Sequence, residues 1–173
     1  QGLAELLAAA PARVVGAAAD AHRLPPLDLA LNEGDNVRIG AEEGRVIDVS
    51  GHTVGHIAFH FPDSGAAFTA DSLMALGCGR VFEGTMPQMH ESLAKLAALP
   101  PETIIYSGHE YTQTNAKFAM TVDPDNPRLK SRIKEIDAAR ASGKPTVPST
   151  LEEELATNPF LRASDPDIQA QLG

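Results

Sequence analysis

The segment Ser50-Gly51-His52-Thr53-Val54-Gly55-His56-Ile57 holds two histidines in a glycine-bounded turn, and it is the best guide to the architecture of this chain. Two later segments share its character: Phe68-Thr69-Ala70-Asp71 and Ser107-Gly108-His109-Glu110-Tyr111. In each of the three, a His or Asp follows a predicted strand, where a sheet would deliver its side chain to one edge. Because His and Asp are metal ligands, the three segments together predict a metal site assembled by the tertiary structure.

The three candidate ligands are His52, Asp71 and His109. The two oxygens of a carboxylate can each bind one metal ion, so Asp71 could bridge two ions, and a neutral imidazole nitrogen suits zinc or iron. Taken singly, each residue also fits an ordinary structural role, as a hydrogen-bonded histidine at a strand end or as a capping aspartate. Their shared position in glycine-flanked turns after strands favours the metal site.

Two neighbouring side chains could also take part in metal chemistry. His56 lies four residues after His52, a spacing that would form a ligand pair on a helix, but Val54 and Gly55 disfavour a helix here. We interpret His56 as a supporting residue whose ring N–H orients a loop or a ligand. Cys78 has no base beside it in the sequence, so a small buried residue is favoured over a nucleophile or a soft ligand.

Arg80, Phe82 and Tyr111 follow the candidate ligands closely in the sequence. A cation and two aromatic rings beside a metal would suit an extended substrate that bears a carboxylate. The alternative is a solvated arginine and two aromatic residues that only pack.

The composition is that of an ordinary soluble protein: 173 residues, 43% apolar and 21% charged. A net charge of -9 argues against a nucleic acid or an anionic membrane surface as a partner. No apolar run approaches the roughly 18 residues of a membrane span. No signal peptide is visible at the start, and the single cysteine fits a reducing compartment, so we predict a cytoplasmic location.

The apolar pattern divides the chain into an α/β part over residues 1–107 and a helical part over residues 108–173. The first part is predicted to contain strands at 13–16, 37–39, 44–49, 57–61, 66–70 and 103–106, helices at 2–10 and 87–99, a helical turn at 17–24 and a loop at 76–80. In the second part, Asn126 is predicted to cap a helix that Pro127 begins, and Ser149 or Thr150 to cap a shorter one.

Several strings resemble a known family. Gly51-His52-Thr53-Val54-Gly55-His56-Ile57 and Phe68-Thr69-Ala70-Asp71-Ser72-Leu73 resemble the metallo-β-lactamase superfamily. Within it, glyoxalase II is the family to which the remaining strings are similar: Gly77-Cys78-Gly79-Arg80-Val81-Phe82-Glu83-Gly84-Thr85, Gly108-His109-Glu110-Tyr111-Thr112, Pro145-Thr146-Val147-Pro148-Ser149-Thr150-Leu151 and Asn158-Pro159-Phe160-Leu161-Arg162. The match covers nearly the whole chain.

The resemblance implies an αββα sandwich, of which this chain holds mainly the second half, followed by a helical substrate domain. It implies an enzyme, monomeric if complete, that hydrolyses S-2-hydroxyacylglutathione, such as S-D-lactoylglutathione, to glutathione and a hydroxy acid. His52 would bind the first of two divalent ions, His109 the second, and Asp71 would bridge them. Zinc is the expected metal, with iron or manganese as alternatives. The nucleophile would be a hydroxide held by the metals, with no catalytic side chain beyond the ligands.

The resemblance also assigns the substrate contacts. Arg80 and Tyr111 match positions that hold the glutathione moiety. Phe82 stands where many members have Tyr, so it would lose a hydroxyl hydrogen bond worth about 0.5–1.5 kcal/mol.

Two departures from the family pattern concern the metals and the substrate. The family's Thr-His-x-His-x-Asp-His motif and its basic C-terminal segment are absent from residues 1–173, so the chain resembles an interior piece of a glyoxalase II. Three protein ligands are too few for two metal ions. We therefore expect weak metal binding and little hydrolysis from these residues alone.

Two alternatives remain open from the sequence. One is a mononuclear iron persulfide dioxygenase of the same fold, although the helical extension counts against it. The other is an inactive fragment or a non-catalytic binding protein, which would expose an apolar sheet face and an unpaired strand edge and would therefore aggregate or dimerise.

Overall fold

The structure is a computed structural model that describes residues 2–173. Its strands are β1 (Val15–Ala17), β2 (Leu29–Leu31), β3 (Asn36–Ile39), β4 (Glu42–Asp48), β5 (Ile57–Phe61), β6 (Ala66–Ala70), β7 (Leu73–Met74), β8 (Gly77–Cys78), β9 (Ile104–Ser107) and β10 (Ser149–Thr150). Its α-helices are α1 (Leu3–Ala9), α2 (Met86–Ala97), α3 (Thr112–Val122), α4 (Pro127–Ala141), α5 (Leu151–Thr157) and α6 (Pro166–Leu172).

Six of the strands form one sheet in the order β10-β9-β6-β5-β4-β3. Strands β3 to β6 are antiparallel neighbours, whereas β9 lies parallel to β6. Because direction alternates between antiparallel neighbours, β4, β6 and β9 all run the same way. Their carboxyl ends therefore meet at one edge of the sheet, which is where the candidate ligands follow.

One face of the sheet packs against α2. Met89, Leu93 and Leu96, whose helical spacing predicted this helix, are all buried. They form one core with Ala67 of β6 and Ile105 of β9. The predicted amphipathic helix is therefore confirmed, and it fixes which sheet face is covered.

The opposite face of the sheet leaves apolar side chains exposed. Phe68 and Tyr106 are cross-strand neighbours whose stacked rings lie 4.9 Å apart, and they are 45% and 40% exposed. Val15, Leu29 and Ile39 are exposed as well. An exposed apolar face was expected for half of a sandwich, and the aggregation or dimerisation expected from it stays a prediction.

The helical part has a second core, in which its residues Ala116, Ala119, Leu129 and Ile136 pack with Leu76 of the α/β part. Its main helix begins as predicted: the side chain of Asn126 accepts the backbone N–H groups of Arg128 and Leu129. Thr150 caps α5 in the same way. No helix within residues 2–173 combines the length and the apolar character needed to cross a membrane.

The helical turn predicted at residues 17–24 is present as a single 3-10 turn, Ala18–Asp20. Other local predictions were wrong or incomplete. The predicted loop at 76–80 is part of a hairpin, because β7 and β8 pair with each other. The strand β2 and the helix α6 were not predicted, since each is short and lies beside prolines at Pro25-Pro26 and Pro166.

Candidate metal centre

The sheet topology brings His52, Asp71 and His109 to the same edge. Asp71 directly follows β6, and His109 follows the parallel neighbour β9, in which Ser107 is paired with Ala70. His52 lies in the turn after β4. Ala70 has a left-handed backbone with φ 45° at an irregularity in the pairing, and this bend turns the chain just before Asp71. The predicted convergence of the three residues is therefore present.

The carboxylate of Asp71 lies between the two imidazoles. Its Oδ2 is 3.5 Å from Nε2 of His52, and its Oδ1 is 3.2 Å from Nε2 of His109. Each imidazole thus faces a different oxygen. No group of three or more His, Cys, Asp or Glu side chains within residues 2–173 is arranged to hold one metal ion. The geometry is that of two half-sites that share a carboxylate.

The donor atoms of these half-sites fit a divalent metal. Nδ1 of His52 lies 2.8 Å from the backbone carbonyl of Arg80, which can only accept, so Nδ1 carries the hydrogen. In the neutral ring, Nε2 would present its lone pair towards Asp71, so that two electron-rich atoms would face each other. Their separations are close to the roughly 3.3 Å edge of a zinc tetrahedron with bonds of about 2.0–2.1 Å. A cation between them would satisfy both.

His56 holds the backbone at Asp71. Its Nε2 accepts the backbone N–H of Asp71 at 3.2 Å, and its Nδ1 faces the hydroxyl of Thr53 at 3.3 Å. Burial lowers the pKa of His56. The neutral ring is needed for this contact, because a protonated Nε2 could not accept. This placement agrees with the supporting role predicted for His56.

Two glycines make room for the carboxylate and its neighbours. A Cβ on Gly79 would lie 1.9 Å from the carbonyl oxygen of Asp71 and 2.9 Å from Nδ1 of His52. A Cβ on Gly108 would lie 2.5 Å from Oδ1 of Asp71. Both distances to oxygen are shorter than van der Waals contact allows, so any larger residue must displace Asp71.

Gly108→Ala is expected to weaken zinc binding by about 10–100-fold, the usual effect of disturbing residues that orient metal ligands. The added methyl group would push Oδ1 of Asp71 away from His109. Zinc affinity is measured by competition with a chelator. Gly44→Ala is the matched control, since its Cβ would lie 2.5 Å from the ring of Phe61, at the end of β4 remote from His52. Equal losses in both variants would contradict the prediction.

A group of ion pairs that the sequence did not reveal holds the turn that contains His52. Glu83 accepts the backbone N–H of Val54 at 2.9 Å and pairs with Arg23, which also pairs with Asp20. The hydrogen bonds from Arg23 and Val54 lower the pKa of Glu83 to about 2. Asp20 in turn packs so closely on Gly55 that no side chain fits there. Glu83 lies 29 residues from Val54 and 60 residues from Arg23 in the chain, so no local signal in the sequence could have shown these contacts.

The predicted substrate residues surround the two imidazoles. The ring of Phe82 lies 5.2 Å from that of His52, and Tyr111 stacks on His109 with centroids 4.7 Å apart. Both aromatic side chains are more than half exposed. The side chain of Arg80 is exposed too, while its carbonyl binds His52. Phe82 and Tyr111 therefore flank the imidazoles with exposed rings, and Arg80 contacts His52 through its backbone.

Cys78 lies in β8 and is partly buried. Burial raises the pKa of its thiol to about 11. The thiol therefore stays protonated near neutral pH, which agrees with the interpretation of Cys78 as a packing residue.

Comparison with known protein families identifies the class of protein to which the chain belongs. The family model described as the metallo-beta-lactamase superfamily matches residues 2–109, and the one described as hydroxyacylglutathione hydrolase C-terminus matches residues 110–173. The chain is 68% identical to a hydroxyacylglutathione hydrolase of Jannaschia sp. over 99% of its own length and 67% of that protein. It is 67% identical to one of Cereibacter sphaeroides over 99% of its length and 68% of that protein. The chain belongs to the hydroxyacylglutathione hydrolases, which are thioester hydrolases.

Solved structures agree on the fold. The B3 metallo-beta-lactamase BLEG-1 has a TM-score of 0.64 and 19% identity, over 91% of this chain and 68% of its own. ETHE1 from Myxococcus xanthus has a TM-score of 0.58 and 27% identity, over 95% of this chain and 71% of its own. The predicted metallo-β-lactamase-like fold and the resemblance to glyoxalase II are confirmed, and the comparisons favour the hydrolase over both alternatives.

Proposed function

We propose that His52, Asp71 and His109 hold divalent metal ions and that the protein uses them to hydrolyse S-2-hydroxyacylglutathione thioesters to glutathione and a 2-hydroxy acid. The observation that carries the proposal is the placement of the Asp71 carboxylate, with one oxygen facing each imidazole. When bound, divalent ions polarise a thioester carbonyl and make hydroxide available near neutral pH. We propose zinc as the metal, because imidazole and carboxylate donors suit it.

The chain's own residues have separate tasks in this proposal. The carbonyl of Arg80 fixes the tautomer of His52, so that Nε2 stays free for a ligand role. His56 holds the backbone of Asp71 and thereby the direction of the carboxylate. Gly79 and Gly108 keep the space beside it clear.

The substrate would lie along the aromatic border of the site. Phe82 and Tyr111 flank the two imidazoles and offer apolar surface to the extended thioester. The exposed guanidinium of Arg80 would bind a carboxylate of glutathione. In this arrangement residues 1–107 supply the ligands His52 and Asp71, and residues 108–173 supply the ligand His109, the ring of Tyr111 and the helical support. A cytoplasmic monomer would meet glutathione thioesters in a reducing compartment.

The test measures metal content and hydrolysis on the same material. The intact mass of the full chain is determined, the chain is dialysed against zinc, and elemental analysis gives zinc per chain. S-D-lactoylglutathione hydrolysis is then followed with and without a chelator. With only three ligands in the chain, we expect weak zinc binding and slow hydrolysis that depends on zinc and that the chelator removes. Absence of both bound zinc and hydrolysis would overturn the proposal, and oxygen uptake in place of hydrolysis would favour the dioxygenase.

A further inference from the structure

A short hairpin joins the two parts of the metal centre. It consists of β7 and β8, Leu73–Cys78, and we call it the site hairpin. Asp71 lies just before it and Arg80, whose carbonyl holds His52, just after it. The two ends are tied together, because Gly79 N–H donates to the carbonyl of Ser72 at 3.1 Å. Any shift of the site hairpin would therefore move both Asp71 and the group that orients His52.

The tip of the site hairpin has an unfavourable backbone. Leu76 is fully buried and has a left-handed conformation with φ 55°. An L-residue with a side chain is disfavoured there by contact of its Cβ with the backbone, so such conformations persist only where the surroundings hold them.

Three side chains from the helical part hold the backbone of the tip in this conformation. Asn115 donates to the carbonyl of Ala75 at 2.9 Å. Asn158 donates to the carbonyls of Met74 and Gly77 at 3.1 and 3.0 Å. Glu154 accepts the N–H of Leu76 at 2.9 Å. We call Asn115, Glu154 and Asn158 the hairpin clamp. Together they satisfy a polar backbone group at each of the four central positions of the tip.

The clamp is itself tightly held. Glu154 is fully buried, and its carboxylate also accepts from Arg132, from Ser149 at 2.6 Å and from Asn158 at 3.1 Å. A buried charge with every oxygen bound has little freedom to move. The helical part therefore presents a rigid surface to the site hairpin.

We propose that the hairpin clamp positions the metal centre: Asn115, Glu154 and Asn158 fix the site hairpin, and the hairpin fixes Asp71 and the His52 ring. They are positioning residues, because they act through the hairpin and do not touch the metal ligands. The consequence for catalysis rests on the proposed function, whereas the consequence for the geometry of Asp71 and His52 does not.

The test compares Asn115→Ala and Asn158→Ala with the control Asn126→Ala. Asn126 is also in the helical part and also binds backbone groups, but within that part only: it caps α4 and donates to the carbonyl of Ala156 at 2.9 Å. Zinc affinity of the full chain is measured by chelator competition at a temperature where all variants are folded by circular dichroism. We expect the two clamp variants to bind zinc about tenfold or more weakly, and Asn126→Ala to stay within about twofold of the unmodified chain.

A second variant covers the case in which Asn158→Ala fails to fold. Gly77→Ala acts from the hairpin side, because its Cβ would lie 2.5 Å from Nδ2 of the partly exposed Asn115 and would push that side chain away. It should weaken zinc binding as Asn115→Ala does. Unchanged affinity in Asn115→Ala and Gly77→Ala, or an equal loss in Asn126→Ala, would overturn the proposal.

A metal-free measurement separates this proposal from the proposed function. The imidazole ¹⁵N signals of His52 report its tautomer and its bond to Arg80. We expect them to change in the clamp variants and to stay constant in Asn126→Ala. If the unmodified chain binds no zinc or hydrolyses no thioester, the proposed function fails, yet the His52 signals still decide the positioning role. Unchanged His52 signals in the clamp variants would contradict it.

Discussion

Asp71→Asn is expected to weaken zinc binding by more than about 100-fold, beyond the 10–100-fold typical of residues that only orient ligands. The amide has one oxygen and no charge, so it can present an oxygen towards only one of the two imidazoles. Its NH₂ group would face Nε2 of either His52 or His109, where the carboxylate presents an oxygen to each. The hydrolysis of S-D-lactoylglutathione at fixed zinc should fall in parallel. Affinity is read by chelator competition and hydrolysis by loss of the thioester.

The control for this variant is Asp48→Asn. Asp48 lies at the end of β4, near the same edge of the sheet, and its carboxylate accepts from the backbone and hydroxyl of Ser50. An asparagine oxygen can keep those bonds, so zinc affinity should stay within about threefold. If Asp71→Asn bound zinc as tightly as Asp48→Asn, Asp71 would not be a ligand, and the metal centre would have to be sought elsewhere.

The sequence predicted the edge of the sheet because the signal there is local. Strands 57–61 and 66–70 were predicted with the bounds they have, and Asp71 and His109 each follow a strand that was predicted. Parallel strands of one sheet end at the same edge, so the residues after them lie along that edge. This is why three ligand candidates, separated by up to 57 positions, could be brought together without a structure.

The supports of that edge could not be predicted, because their partners are distant and their elements are short. The two-residue strands β7 and β8 carry no periodicity, and glycines at 77 and 79 read as a loop. Glu154 binds Leu76 across 78 positions. One signal was available in hindsight: Glu154 and Asn158 follow Leu151 at helical spacing, so two polar residues lie on an otherwise apolar stripe. Such a pattern indicates that the two polar side chains have buried hydrogen-bond partners, but it does not show which residues those partners are.

The largest effect on stability is expected from breaking the buried ion pair between Arg132 and Glu154, a residue of the hairpin clamp. Arg132→Met is expected to lower the free energy of unfolding by about 3–5 kcal/mol, the usual loss when one partner of a buried pair is removed. Arg132 is 5% exposed and binds Glu154 and Thr157, and Glu154 is fully buried. Methionine would fill most of the volume, so the loss measures the uncompensated carboxylate and not a cavity. Urea unfolding followed by circular dichroism gives the free energy.

Two further variants decide whether the charge is the cause. Arg128→Met removes an arginine from the same helix whose pair with Glu152 spans 3.6 Å at the surface, and it should cost less than about 1 kcal/mol. The double change Arg132→Met with Glu154→Gln removes both charges and should be more stable than Arg132→Met alone, because no buried ion is left unpaired. A double variant less stable than the single one would show that Glu154 stabilises the protein through its bonds to Leu76, Ser149 and Asn158, and not through its pairing with Arg132.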